Sequence, residues 1–216
     1  MSDPDTGAMS PHPAAVLLAN AGWSALQDRI LMDLCHDLNG RIAALYALWQ
    51  LTEMGETPPT DLASELARLE GVAGRLAQLL GAVDEAPPAP LEPRQLVERA
   101  LKCLEGASHA SHGSLDLAVE GTLPAVCVNE GRCLRTILLF VDRAVAMAGD
   151  VAFTIRGDPD GVELAFDVDG GVGPDDGANL ALVDAVVRLD GGAVSVEPAR
   201  CALRLPSLTR ARAEGR

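Results

Sequence analysis

The chain has 216 residues, room for one large domain or two small ones, and is 48% apolar but only 3% aromatic, so its core is expected to be built of Leu, Val and Ala. A net charge of −14 argues against nucleic acid, which needs clustered Lys and Arg, and against an anionic membrane surface. The cysteines, Cys35, Cys103, Cys127, Cys133 and Cys201, form no C-x-x-C pair, and their apolar neighbours predict buried thiols in a reducing cytosol rather than a zinc or disulfide framework.

In chain order, residues 1–16 read as a disordered tail, Pro-bearing and without the pattern of a secretory leader. No apolar run reaches the roughly 18 residues of a membrane span, so a cytoplasmic protein is expected. From about Leu17 to Met54 the apolar residues Trp23, Leu26, Ile30, Leu34, Leu38, Ile42, Leu45 and Trp49 recur in steps of three and four, which predicts one long amphipathic helix. Gly55 and Pro58-Pro59 stop it. A second helix is predicted from Thr60 or Asp61 to Val83, with Leu62, Leu66, Leu69, Ala73, Leu76 and Leu80 as its apolar stripe. Two long helices with a short connection make a hairpin over 17–85. So lean a hairpin buries its stripes best by pairing with a second copy in a four-helix bundle, and a homodimer is expected.

Residues 86–92 read as a Pro-rich linker. Beyond it the pattern turns to mixed α and β. Helices are predicted over Pro93–Glu105, Arg132–Met147 and Asn179–Leu189, and strands over Ser114–Val119, Ala125–Val128, Val151–Arg156, Val162–Val168, Ala193–Glu197 and Cys201–Leu205. This order describes an α/β sandwich over 93–207 with helices on one sheet face, followed by a frayed basic tail at 208–216. The fold class is therefore α+β.

His36-Asp37-Leu38-Asn39 sits on the first helix. Imidazole is largely neutral, and so nucleophilic, near neutral pH, and an adjacent acid can orient the ring and hold its proton. A His-Asp on the first helix of a hairpin, a Pro linker and this order of helices and strands resemble the sensor histidine kinase core, a dimerisation and phosphoacceptor hairpin followed by a Bergerat-type ATP-binding domain. Val168-Asp-Gly-Gly-Val-Gly173 resembles the family's first glycine box, with Asp169, Gly171 and Gly173 filling its pattern. Gly177-Ala-Asn-Leu-Ala-Leu-Val183 resembles the second box, and Cys133–Val145 the helix that carries the family's asparagines.

The departures from that resemblance carry as much as the matches. Where the family places an asparagine as a magnesium ligand this chain has Arg143, and one turn earlier it has Leu139. Only Pro174, Asp175 and Asp176 lie between Gly173 and Gly177, in place of a long ATP lid, and the second box lacks its Gly-x-Gly. Phosphoryl transfer from ATP depends on positioning and charge neutralisation, so losing ligand, lid and glycine together removes its basis. The resemblance then implies the dimeric, kinase-like histidine phosphotransferases of sporulation and cell-cycle phosphorelays. In that reading ATP is not expected, the chain itself holds no cofactor, and magnesium belongs to the partner receiver domain.

At 100° per residue His36 lies roughly 200° from Leu34 and from Leu38, away from the buried stripe. It is expected to be exposed, with Met32, Asp33, Gly40 and Ala43 beside it as a docking patch for response-regulator receiver domains. Asp37 is the candidate orienting acid, and Asn39 and Arg41 are candidates for contact with the phosphoryl group or the incoming regulator. His109 and His112 form an H-x-x-H in a Gly- and Ser-bearing loop and are not expected to bind metal. A metal phosphohydrolase of the HD type would need a second metal-ligating histidine upstream, and only His12 stands there. The reading is therefore phosphoryl relay between receiver aspartates through His36, against two alternatives: an active histidine kinase with an atypical nucleotide site, and a non-catalytic dimeric regulator that sequesters signalling partners.

Overall fold

The structure, a computed structural model, describes residues 13–56, 61–81, 87–104, 115–148 and 150–215. The expected tail ahead of Pro13, His12, His109 and His112 lie outside them. Helix α1 runs over Pro13–Glu53 and α2 over Leu62–Gly81, forming the hairpin. The end of α1 follows from its sequence. Gly55 takes φ 75, its N–H donates to Thr52 O at 3.0 Å and that of Glu56 to Leu51 O at 3.0 Å, the paired bonds of a glycine-terminated helix.

The hairpin's inner seam differs from the predicted one. On α2 the buried positions are Glu65, Val72 and Leu79, while Leu62, Leu66, Ala73 and Leu80 are exposed. On α1 Trp23, Leu26, Ile30 and Leu34 are buried, but Ile42 and Trp49 are exposed, and Leu48 is the buried residue of the second half.

Strand β1, Ala89–Leu91, occupies the segment expected to be a linker and pairs antiparallel with β3, Val126–Val128. A proline is tolerated there because β1 is an edge strand that need not donate at every position. Helix α3 spans Pro93–Leu104 and β2 spans Leu115–Glu120. Next come α4 (Glu130–Ala148), β4 (Val151–Asp158), β5 (Gly161–Asp167), α5 (Pro174–Val187), β6 (Ala193–Glu197) and β7 (Arg200–Pro206). The main sheet has the order β2-β4-β5-β7-β6, with β2 parallel to β4 and the other pairs antiparallel.

One face of this sheet is apolar. Val151, Phe153 and Ile155 of β4 alternate inward, and Phe140 of α4 meets Phe153 and Phe166 edge-on or tilted at 6.5 and 5.3 Å between ring centroids. The opposite face carries cross-strand ion pairs, Arg156–Glu163 at 2.8 Å and Arg204–Asp158 at 2.7 Å. The fold is thus α+β, a helical hairpin followed by an α/β sandwich with its helices on one sheet face. The segment expected to fray forms α6, Leu208–Ala213, capped by Ser207, whose Oγ accepts from Arg210 N–H at 3.2 Å and donates to Pro159 O at 2.8 Å. No helix among the described residues is long and apolar enough to cross a membrane.

Candidate functional site

The helix phase of α1 separates His36 from the seam. His36 is exposed, as are Asn39, Gly40 and Ala43 around it, and Met32 one turn back is 72% exposed. A Cβ added to Gly40 would meet nothing within 4 Å, so this chain's own packing does not require glycine at a position where it costs ~1 kcal/mol against alanine. Cys35, expected to be buried, is exposed beside His36 because the same phase turns it from Leu34. Cys127 is partly buried, and Cys103, Cys133 and Cys201 are buried.

Asp37, one residue on, turns towards α2. Arg75 Nη2 donates to Asp37 Oδ2 at 2.8 Å, and Arg41 Nε lies 3.3 Å from Asp37 Oδ1. Arg41 also reaches Glu65 Oε2 at 3.5 Å, and Glu65 is bonded by Arg68. Burial of Glu65, 5% exposed, is thereby offset by two guanidinium partners. A chain of alternating charges, Arg68–Glu65–Arg41–Asp37–Arg75, follows the seam between α1 and α2. Asp33 is half-buried on the same side of α1.

The residues that resemble a nucleotide site lie elsewhere. Leu139 of α4 is buried and offers no donor atom to a metal; Arg143 is a cation and lies 3.5 Å from Asp142 Oδ2. Asp142 is buried and accepts a hydrogen bond from Arg29 of α1. Arg135 of α4 stacks over Trp23 of α1 at 5.9 Å from the ring centroid. Helix α1 packs on both α4 and α5, and Trp23 and Arg29 of its first half make the contacts to α4.

In the loop before α5, Asp169 is exposed and Gly170 and Gly171 take φ 87 and 89. A Cβ on Gly171 would stand 3.0 Å from Pro198 O, which accounts for that glycine by local backbone crowding. Gly173 precedes α5, and Pro174, Asp175 and Asp176 form its first turn, with Gly177 N–H donating to Gly173 O at 3.0 Å. The segment where a lid would lie is helix. No group of three or more potential metal-ligating side chains occurs among the described residues.

The structure therefore joins Asp37 and Arg41 in the seam, leaves His36, Asn39 and Gly40 exposed on α1, and puts Leu139 and Arg143 on α4 and the glycine segment before α5. Sequence reasoning missed Arg75, Arg29 and Asp142. The available signal was helical phase: Arg68 and Arg75 each stand three residues beyond the buried positions Glu65 and Val72, flanking a seam hidden by the more numerous leucines of the exposed face.

No family model matches the chain, and no curated protein matches it. Among solved structures it is similar to the Acinetobacter baumannii histidine kinase AdeS, with 17% identity over 80% of this chain and 96% of that one and a TM-score of 0.44. It is similar to the ATP-binding domain of PrrB from Mycobacterium tuberculosis, with 23% identity over 56% of this chain and 98% of that one and a TM-score of 0.44. A third likeness is to full-length ShkA in complex with AMPPNP, with 18% identity over 92% of this chain, 46% of that one and a TM-score of 0.45.

Proposed function

We propose that the chain is a histidine phosphotransfer protein of a two-component relay, taking a phosphoryl group from one receiver aspartate onto His36 and passing it to another without ATP. The observation that carries the ATP-independent part is the chemistry of the two positions that resemble a magnesium site: Leu139 is buried and apolar and Arg143 is a cation paired with Asp142, so neither side chain is a magnesium ligand. The start of α5 agrees with it, because Pro174, Asp175 and Asp176 form a helical turn where a lid would lie. The donor set does not fit a magnesium–nucleotide, and no step passes through one.

In the transfer step one neutral ring nitrogen of His36 attacks the phosphorus of the regulator's aspartyl phosphate. The P–N bond forms as the P–O bond breaks, and the regulator's carboxylate leaves with the electron pair. The proton on the other ring nitrogen is then released to solvent or to the neighbouring carboxylate of Asp37. The magnesium that neutralises phosphoryl charge is the regulator's own. The exposed patch of Met32, Asn39, Gly40 and Ala43 gives close approach to the ring. The exposed apolar residues Ile42, Tyr46 and Trp49 of α1 with Leu62 and Leu66 of α2 fit a second copy in a four-helix bundle.

The test mixes the protein with purified receiver domains carrying labelled phosphate. Label is expected on His36 of the wild type and not on His36→Ala. Label taken from ATP alone would replace this reading with a kinase. Label that never leaves the receivers, with His36→Ala still binding them, would replace it with a sequestering regulator.

A further inference from the structure

We infer that the outer edge of β2, with the groove between it and α3, is a docking site for an extended segment of a partner protein. That segment carries two acidic side chains flanking an apolar one on one face, and basic side chains on the other. The site lies on α3 and β2 whereas His36 lies on α1, and it does not depend on the phosphotransfer reading.

Strand β2 ends the main sheet, and among the described residues no strand pairs with its outer side. Natural sheet edges are blunted by proline, a bulge, lysine or an inward-pointing charge. β2 has none of these: its register with β4 is unbroken from Leu115↔Val151 to Glu120↔Arg156, and its inward positions are Leu115, Leu117 and Val119. The opposite edge of the sheet differs. There Val194 N–H of β6 donates to Asp184 Oδ1 of α5 at 2.7 Å, so a side chain already occupies part of it.

The cover that α3 provides stops short of β2. Phe153 and Ile155, inward residues of β4, are 1% and 0% exposed, whereas Val119 is 40% exposed. The space left is an open groove of about 330 Å³ lined by Arg94, Glu98, Leu101 and Lys102 of α3 and by Leu117 and Val119 of β2. A strand added to β2 would bond its free backbone groups and send alternate side chains into that groove.

The charges select the occupant. Arg94 and Lys102 stand eight residues apart on α3, roughly 12 Å along the axis, which is the rise of about four strand residues. Two acids four positions apart in the added strand therefore meet both cations, and the residue midway between them lies over Leu101, Leu117 and Val119. Arg94 Nε donates to Glu98 Oε1 at 2.7 Å, and Glu98, set between the two cations, disfavours a third acid at that middle position. On the other face Asp116 and Glu120 are exposed and favour lysine or arginine beside them. A second copy of β2 would bring only acids to that face.

The experiment uses the full chain and a fluorescein-labelled peptide with a glutamate-lysine-valine-lysine-glutamate core flanked by serines, read by fluorescence anisotropy. Saturable binding is expected, weakened about ten-fold by Lys102→Glu and lost in Val119→Lys, which points a charge inward at the edge. His36→Ala should bind as the wild type does. Hydrogen exchange should slow, on addition of peptide, at the β2 amides that do not bond to β4. Circular dichroism is the control on folding, and should Val119→Lys not fold, Arg94→Glu/Lys102→Glu takes its place.

No binding up to about 1 mM peptide would overturn the inference, as would equal binding by a peptide of the same composition in scrambled order or by Val119→Lys. A sedimentation mass that falls in Val119→Lys would give the edge to a second copy, and β2 amides already protected without peptide would give it to another segment of this chain. Either result overturns the inference.

Discussion

The two halves of α1 share one periodicity and opposite surroundings. Trp23 is 5% exposed, whereas Trp49, set in the same three-and-four pattern, is 55% exposed. The first half meets α4, where Arg29 pairs with Asp142 and Trp23 lies under Arg135. The second half pairs with α2 through Arg41–Glu65 and Asp37–Arg75, while Ile42, Tyr46 and Trp49 are exposed, with Tyr46 and Trp49 in ring contact at 5.6 Å. Apolar spacing states that a stripe needs cover. It does not state whether the cover comes from the same chain or from a second one, and in this helix the answer changes part-way along.

The largest effect should separate the halves by stability. Trp23→Ala removes a buried ring and its guanidinium partner, and is expected to cost about 3–5 kcal/mol in urea unfolding. Trp49→Ala, measured at concentrations where the chain is monomeric, should cost within about 0.5 kcal/mol, as for surface sites. Equal costs would remove the distinction.

The second effect concerns association. If the open half is covered by a second copy, Ile42→Glu with Trp49→Glu places charge in an apolar contact and should weaken the dimer at least 100-fold, about 2.7 kcal/mol, in sedimentation equilibrium. A wild type that remains monomeric at high concentration would break the comparison at this point. Arg29→Ala should have a smaller cost, about 1–3 kcal/mol by denaturation, since Asp142 stays buried with Arg143 still near it and Arg29 is itself partly exposed.

These contrasts mark how far the sequence can be read. Helix and strand positions were legible because their apolar periods and their Gly and Pro breaks are local. The seam of α2 was not, since leucines at 62, 66 and 80 advertise one stripe while the buried one contains Glu65. Whether that carboxylate can be buried depends on Arg41 and Arg68 being opposite it, which is tertiary information. The short strand β1 was hidden by its proline, and the capped α6 by its basic composition. At the site, His36 and Asp37 are adjacent and their phase is computable. Arg75 and Arg29 find partners 38 and 113 residues away, a register that no periodicity supplies.

The thiols give the finest test of covered against open. Cys35 lies on the exposed face of α1, where its two halves meet, while Cys103 is buried beneath α2 and Cys133 within α4. Burial raises the Cys103 pKa to about 11, partly opposed by Arg99 and Arg75, and raises that of Cys133 further. At pH 7.5 maleimide should label Cys35 and leave Cys103 and Cys133 untouched, since thiolate is the reacting species. Raising the pH ionises an unfolded cysteine near pH ~8.5 but Cys103 in the fold only near 11. Between those values the unfolded state has lost a proton that the native state keeps, so stability falls as pH rises through the window. Cys103→Ala should flatten part of that decline in melting curves taken between pH 8 and pH 11, a modest change because Cys133 remains. If Trp23→Ala also exposes Cys133 to maleimide at pH 7.5, the first half of α1 is a cover that α4 depends on; if Cys133 stays protected, the sandwich closes its own core and α1 is seated on it afterwards.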